Sequence, residues 1–280
     1  MKLILGTANF QTKKYGINKL NNPTYQQVNK ILNFSKSKIK YLDISENYSL
    51  NLNNNLFKKF KLILKIKLNF FEKKISKHML LKYVEDIIEK NNLINIDTLM
   101  FHRTSDIFKL KKSEFSDAII ILKKNFCKRI GISIYDPKEL TKVFKYFKPD
   151  IVQCPLNLFD NRINESGWMT KMKSKNIEIH IRSVFLQGLL LINLKKIPNK
   201  FLKYKKYFTK VDNFSQKIKK NRTEICLNHL KQYEKKIDCL VIGVQSVTQL
   251  KEIINLKKNK KFQFLKFKKV PKKLYDPRLW

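Results

Sequence analysis

Cysteine is scarce in this chain of 280 residues and poorly placed for chemistry. Cys127, Cys154, Cys226 and Cys239 lie far apart, with no Cys-x-x-Cys pair and no histidine at ligand spacing. That spacing argues against both a disulfide framework and a zinc site, so four ordinary buried thiols and no metal are expected. Long apolar runs are also missing. The hydrophobic residues, 43% of the total, come in short bursts separated by Lys and Asn, and none reaches the roughly 18 consecutive apolar residues of a membrane helix. The chain is therefore expected not to span a bilayer. Its start carries three aliphatics, Leu3 to Leu5, before Gly6, too few for the apolar region of a secretory signal, so the expected compartment is the cytoplasm.

Arginine and alanine are rare as well. The formal net charge is +38, yet only six of the 60 basic residues are Arg, and Ala stands only at positions 8 and 118. A large basic surplus ordinarily points to nucleic acid or anionic membrane. Arg, however, is the residue suited to bidentate phosphate and guanine contacts, and the wealth of Lys, Asn, Ile, Phe and Tyr is what adenine- and thymine-rich codons supply. No specific nucleic-acid partner and no membrane are expected. Weak, salt-sensitive polyanion binding follows from the field alone, and a basic polyanion-binding protein stays open as one alternative.

What the chain does have is alternation. Short apolar runs at Leu3–Leu5, Lys40–Asp43, Leu62–Ile66, Thr98–Phe101, Arg129–Ser133, Ile151–Gln153, Ile177–Ile181 and Leu240–Ile242 each precede a longer amphipathic stretch, the pattern of strands followed by helices. Eight such units predict an α/β fold, a (β/α)8 TIM barrel in a single domain. Barrel residues are expected over 1–257, with a lid or loop at about 191–220 and a basic tail over 258–280.

In such a barrel, chemistry sits where strands end. The second run ends in Asp43, with Tyr48 five residues on; the third carries Lys65, with Lys67 at the same parity as the fallback; the fourth runs into His102. Together these side chains form a proton-donating site. A lysine beside a tyrosine favours the phenolate, an aspartate holds the ammonium, and the phenol serves as acid to a carbonyl under reduction.

The same residues resemble those of the aldo-keto reductase family. Leu5-Gly6-Thr7-Ala8-Asn9-Phe10 is similar to its first strand, Leu42-Asp43-Ile44-Ser45-Glu46-Asn47-Tyr48 to its Asp and Tyr element, Phe60–Lys65 to the strand bearing its Lys, and His102-Arg103 to its His. Arg129–Tyr135, Asp150–Asn157, Arg182–Leu190 and Val241–Ser246 follow in the family's order. The resemblance implies an NAD(P)H-dependent carbonyl reductase or alcohol dehydrogenase, with Asp43, Tyr48, Lys65 and His102 catalytic. It implies NADPH, with NADH possible, bound by Gly6, Thr7, Asp43, Ser133, Gln153, Arg182, Ser183, Gly243, Gln245, Ser246, Gln249 and Glu252, the last five at the adenosine phosphate end, where helix amides are free. The substrate is expected to be a small carbonyl compound or a sugar, such as a sugar-derived or cell-surface-polysaccharide precursor, and the protein a monomer or weak homo-oligomer. Gln11, Ser49, Ile134 and Ile253 depart from the family's habit, and positions 245, 246 and 249 offer no cation for a 2′-phosphate. A barrel that binds nicotinamide cofactor without turnover is the other alternative.

Overall fold

The eight apolar runs become eight strands: β1 (Lys2–Gly6), β2 (Tyr41–Ser45), β3 (Lys61–Ile66), β4 (Ile96–Phe101), β5 (Arg129–Ser133), β6 (Ile151–Pro155), β7 (Glu178–Arg182) and β8 (Cys239–Ile242). In the computed structural model, which describes residues 1–11, 16–17, 23–46, 54–68, 74–258 and 260–280, they pair in parallel and in chain order into a closed barrel. Parallel strands covered on both faces need apolar residues at successive positions, and β3 and β4 are buried almost throughout.

Strand alternation sorts the side chains into two cores. Leu3, Leu5, Leu42, Ile44, Leu62 and Leu64 join the large cluster between sheet and helices. Their alternates Ile4, Ile63, Met100, Ile151 and Cys239 form a small separate cluster, with Tyr41 and Val241 against it. That second parity faces the barrel axis. Counting forward by two from it reaches Gly6, Asp43, Lys65, His102, Gln153 and Gly243, so one rule of alternation delivers the polar residues to the barrel's C-terminal mouth. At the opposite end lies the floor, where Arg129, two residues before Gly131, meets Glu178, and His180 pairs with Cys239. One irregularity intervenes: the β3–β4 register shifts between Leu62 and Ile63, which face Ile96 and Thr98. Asp97 is the extra residue of this bulge, and its carboxylate accepts from Arg129 Nε at 2.9 Å.

Helices start where the sequence provides caps. Thr24 and Gln27 close a capping box on Tyr25–Ser35, Ser76 caps Lys77–Lys90, and Asn221 with Glu224 caps Arg222–Lys231. The stretch expected as a lid or loop contains a 14-residue helix, Lys205–Ile218. Phe208 and Val211 on it are fully buried, and burying a side chain the size of Phe208 contributes roughly 1.5–3 kcal/mol. The helix fastens the tail: Lys210 Nζ donates to Lys266 O at 3.0 Å, Tyr207 Oη to Lys269 O at 3.1 Å, and Phe159 stacks edge-on with Phe208 and Phe267. The tail then runs back to the mouth, anchored where Trp280 meets Phe201. No helix among the described residues is long and apolar enough to cross a membrane.

Candidate active site

A cavity of about 530 Å³ opens at the C-terminal ends of the strands. At its base Lys65 Nζ lies 2.9 Å from Asp43 Oδ1, with the side chains only 6% and 2% exposed. The other oxygen, Asp43 Oδ2, accepts from Gln153 Nε2 at 2.8 Å. Three strands thus meet in one buried contact. Such a pair gains little net stability over an apolar replacement, but removal of one partner strands a charge at a cost of about 3–5 kcal/mol; the arrangement therefore fixes Lys65 in one place. Burial pushes the Lys65 ammonium below the ordinary lysine range; the charge and hydrogen bond of Asp43 oppose that shift, and Arg182 adds to it. Lys67 also reaches the cavity, but it lies beyond the end of β3 and has no ion pair with Asp43. Strand parity alone leaves the two lysines equivalent; of the two, Lys65 is the one in contact with Asp43.

His102 lines the same cavity, and its Nδ1 is buried with no hydrogen-bond partner among the described residues. Burial, together with the charges of Lys65, Lys67, Arg182 and Arg103, pushes its imidazole down to about 2. It is therefore neutral at working pH, with one nitrogen able to donate and the other to accept. Tyr48 and Ser49 lie outside the described residues.

Of the residues assigned to cofactor, Gly6, Asp43, Arg182, Ser183, Gly243, Gln245, Gln249 and Glu252 line the cavity. Thr7, Ser133, Gln153 and Ser246 are not among its described lining. Thr7 is fully buried and donates through Oγ1 to Asp43 O at 3.0 Å; Ser133 is 1% exposed, and Gln153 sits behind Asp43. Ser246 Oγ accepts from Gln249 N at 3.2 Å, and Gln249 Oε1 accepts from Gln245 N at 2.8 Å. Two of the three oxygens expected near a 2′-phosphate thus cap the helix Val247–Lys258. Among the departures, Ile253 lines the cavity, while Ile134 is buried and its carbonyl accepts from Arg182 Nη2 at 2.8 Å. The backbone of Gln11 closes a short helix, Ala8–Gln11.

Two features of the mouth escape a reading of the sequence. Tyr135 is held between two guanidiniums, Arg182 at 4.2 Å and Arg278 at 4.3 Å from its ring centre, and Asp276, 2% exposed, grips Arg278 through Nε and Nη2 at 2.8 and 2.7 Å. The tail thereby supplies part of the cavity wall. The second is a crossing contact. Ile17 N donates to Gln187 O at 3.0 Å, and the neighbouring Gly16, with φ +95°, comes so close that a Cβ would stand 3.0 Å from the same oxygen. Only glycine fits both the turn and the approach.

Three mouth residues carry buried polar atoms without partners among the described residues: Asn9 Oδ1, His102 Nδ1 and Gln153 Oε1. Burying such atoms is costly unless something meets them, and a bound polar molecule does so. A nicotinamide cofactor fits these atoms, since its carboxamide N–H groups can donate to an amide oxygen, and Gly243, Gln245 and Gln249 at the start of the helix Val247–Lys258 line the cavity. Elsewhere, one group among the described residues gathers three potential metal ligands: Glu178, His180 and Cys239, with ligand atoms within 4.8 Å of one another. It lies at the floor. There burial and the Glu178 charge push the Cys239 thiol up to about 12, and Arg129 occupies the second Glu178 oxygen, so an ion would have to displace a proton and compete with a guanidinium.

Comparisons with known proteins agree with this geometry. The fold is that of the aldo-keto reductase AKR11C1 from Bacillus halodurans in its holo form, with a TM-score of 0.71 at 16% identity over 94% of this chain and 88% of that one. It is also that of the glycerol dehydrogenase AKR11B4 from Gluconobacter oxydans, with a TM-score of 0.69 at 17% identity over 93% and 87%. Among curated proteins no sequence matches. The sequence profile of the Aldo/keto reductase family matches residues 2–272, nearly the whole chain. The protein belongs to the aldo/keto reductase family, NAD(P)H-dependent oxidoreductases that act on small carbonyl substrates.

Proposed function

We propose that the cavity reduces a carbonyl group, or oxidises the corresponding alcohol, with Tyr48 as the proton donor. The observation that carries this reading is the buried Lys65–Asp43 pair at 2.9 Å. It holds a cation at the base of the cavity, and a cation beside a phenol stabilises the phenolate and makes the phenol a better acid. His102, neutral because of its burial and cationic surroundings, orients the carbonyl oxygen by a hydrogen bond. Gln153 fixes Asp43 from behind. When bound, a nicotinamide cofactor would supply the hydride for the carbonyl carbon. Arg182 and Ser183 would hold its nicotinamide end, and Gly243, Gln245, Gln249 and Glu252, which line the same cavity, would hold the phosphate end.

NADPH is the preferred form by a small margin. Ser246 Oγ and Gln249 Oε1 already accept as helix caps, so a 2′-phosphate meets only the neutral Ser246 hydroxyl and glutamine N–H donors there and no bidentate guanidinium. The expected preference is on the order of tenfold, or about 1.4 kcal/mol. Fluorescence titration with NADPH and NADH at one fixed low salt, followed by a panel of carbonyl compounds, tests both parts. A preference for NADH overturns the assignment of the cofactor, and binding without turnover on any carbonyl overturns the assignment of the activity.

A further inference from the structure

The cavity wall is unbalanced in charge. Lys65, Lys67, Arg103, Arg182 and Arg278 line it, against Asp43 and Glu252. Lys65 is neutralised by Asp43 and Arg278 by Asp276. Arg182 makes no ion pair among the described residues and donates instead to Ser183 Oγ at 3.2 Å and Ile134 O at 2.8 Å. Lys67 and Arg103 likewise have no ion pair among the described residues. Glu252, on the helix after β8, accepts from Asn221 and is remote from both.

The position of this pair is set by the sheet. His102 N donates to Ile66 O at 2.9 Å where β3 and β4 end, and Lys67 and Arg103 are the next residue on each chain, so both leave the barrel at the same point of the rim. Glu46 and Asp106 act on Lys67 through their charge, and Asp106 also lies in the field of Arg103. Glu46 accepts the backbone amide of Lys67 at 3.0 Å and the hydroxyl of Tyr83. Asp106 is 1% exposed, and its Oδ2 has no hydrogen-bond partner among the described residues; neither acid forms an ion pair with Lys67 or Arg103. The like charges act on each other: burial, then the Arg103 guanidinium, hold the Lys67 ammonium below the usual lysine range against the opposing charges of Glu46 and Asp106.

We propose that Lys67 and Arg103 form a subsite for an anionic group on the substrate, a carboxylate or a phosphate, beside the carbonyl that His102 orients. The proposal rests on the oxidoreductase reading of the same cavity. Arg offers a planar fork matched to such oxygens, and Lys adds a mobile point charge. Cofactor phosphates are not the intended occupant. Their assigned place follows β8, and in a closed ring of eight strands in chain order β4 stands opposite β8.

Matched pairs of aldehydes test this: 4-carboxybenzaldehyde against methyl 4-formylbenzoate, and glyceraldehyde 3-phosphate against glyceraldehyde. At low salt the wild type should favour the anionic member of at least one pair by tenfold or more in kcat/KM, through KM, and the larger ratio identifies the group. The advantage should shrink as salt screens it. Lys67→Gln with Arg103→Gln should bring the ratio close to one, while Lys67→Arg retains it. A wild-type ratio near one in both pairs, or a ratio that survives the double substitution, overturns the subsite and leaves the oxidoreductase reading intact. If no aldehyde is reduced, that reading falls instead. Direct titration of the cofactor-loaded protein with 4-carboxybenzaldehyde and its ester then decides: acid binding that depends on Lys67 and Arg103 supports the subsite, and equal binding of acid and ester overturns it.

Discussion

The two ends of the barrel carry similar polar residues and treat charge in opposite ways. At the floor, Arg129 lies between Asp97 and Glu178, and His180 Nε2 meets the other Glu178 oxygen at 2.9 Å. Burial works against the Glu178 anion, but the hydrogen bond to His180 and the Arg129 guanidinium bring it down to about 2, so each charged group of this plug has an opposite neighbour. At the mouth, among the described residues, ion pairs neutralise only Lys65 and Arg278 of the cavity's cations. Arg182, Lys67 and Arg103 line the cavity with no ion pair among the described residues, and three buried polar atoms have no hydrogen-bond partner among them. A balanced polar cluster completes the fold by itself; an unbalanced one is complete only with a ligand.

Exchanging one residue at each end puts the largest strain on this contrast. Lys65→Met should lower kcat by about 10² or more, because it disables the acid that the cation supports, and Lys67→Met should do far less to a neutral carbonyl. Arg129→Met should cost stability instead, about 3 kcal/mol, at the low end for a broken buried pair because Glu178 is 28% exposed, with little change in kcat per folded molecule. Denaturant melts beside steady-state rates separate the two; a catalytic collapse in Arg129→Met would erase the distinction between the ends.

A smaller effect lies in pH. His102 is held at about 2 in the folded chain against an ordinary 6.5, so between those values the unfolded chain binds the extra proton. Stability then falls as pH drops below about 6.5, with a limiting slope near 1.4 kcal/mol per pH unit for one proton. His102→Asn should flatten that fall when melts at pH 7 and pH 5.5 are compared. An unchanged slope would mean that the mouth does not hold the imidazole neutral.

The legible part of this architecture was whatever alternation controls. Eight apolar bursts with polar residues at the inward parity identify the strands and bring Asp43, Lys65 and His102 to one end. Parity does not separate Lys65 from Lys67; the sequence ranks Lys65 first through its resemblance to the family's strand, and the contact with Asp43 is visible only in the fold. The helix Lys205–Ile218 carries Tyr207, Phe208, Val211, Phe214 and Ile218 at helical spacing, yet its many lysines obscure the stripe and made it read as irregular. Partners far apart in sequence were out of reach: Tyr135 with Arg278, Arg129 with Asp97 and Glu178, and the close approach of Gly16 to Gln187 exist only once the chain has closed. Lys67 and Arg103 are visible as residues, but that neither makes an ion pair among the described residues is a property of the assembled rim.

The central claim is that the mouth exists to place a proton donor against a carbonyl, and Tyr48→Phe tests it most directly. Cofactor affinity by fluorescence titration and carbonyl reduction should be measured on the same preparation. The account predicts a dissociation constant close to that of the wild type and a turnover lower by roughly 10²–10⁴-fold. Full turnover in the variant would contradict it.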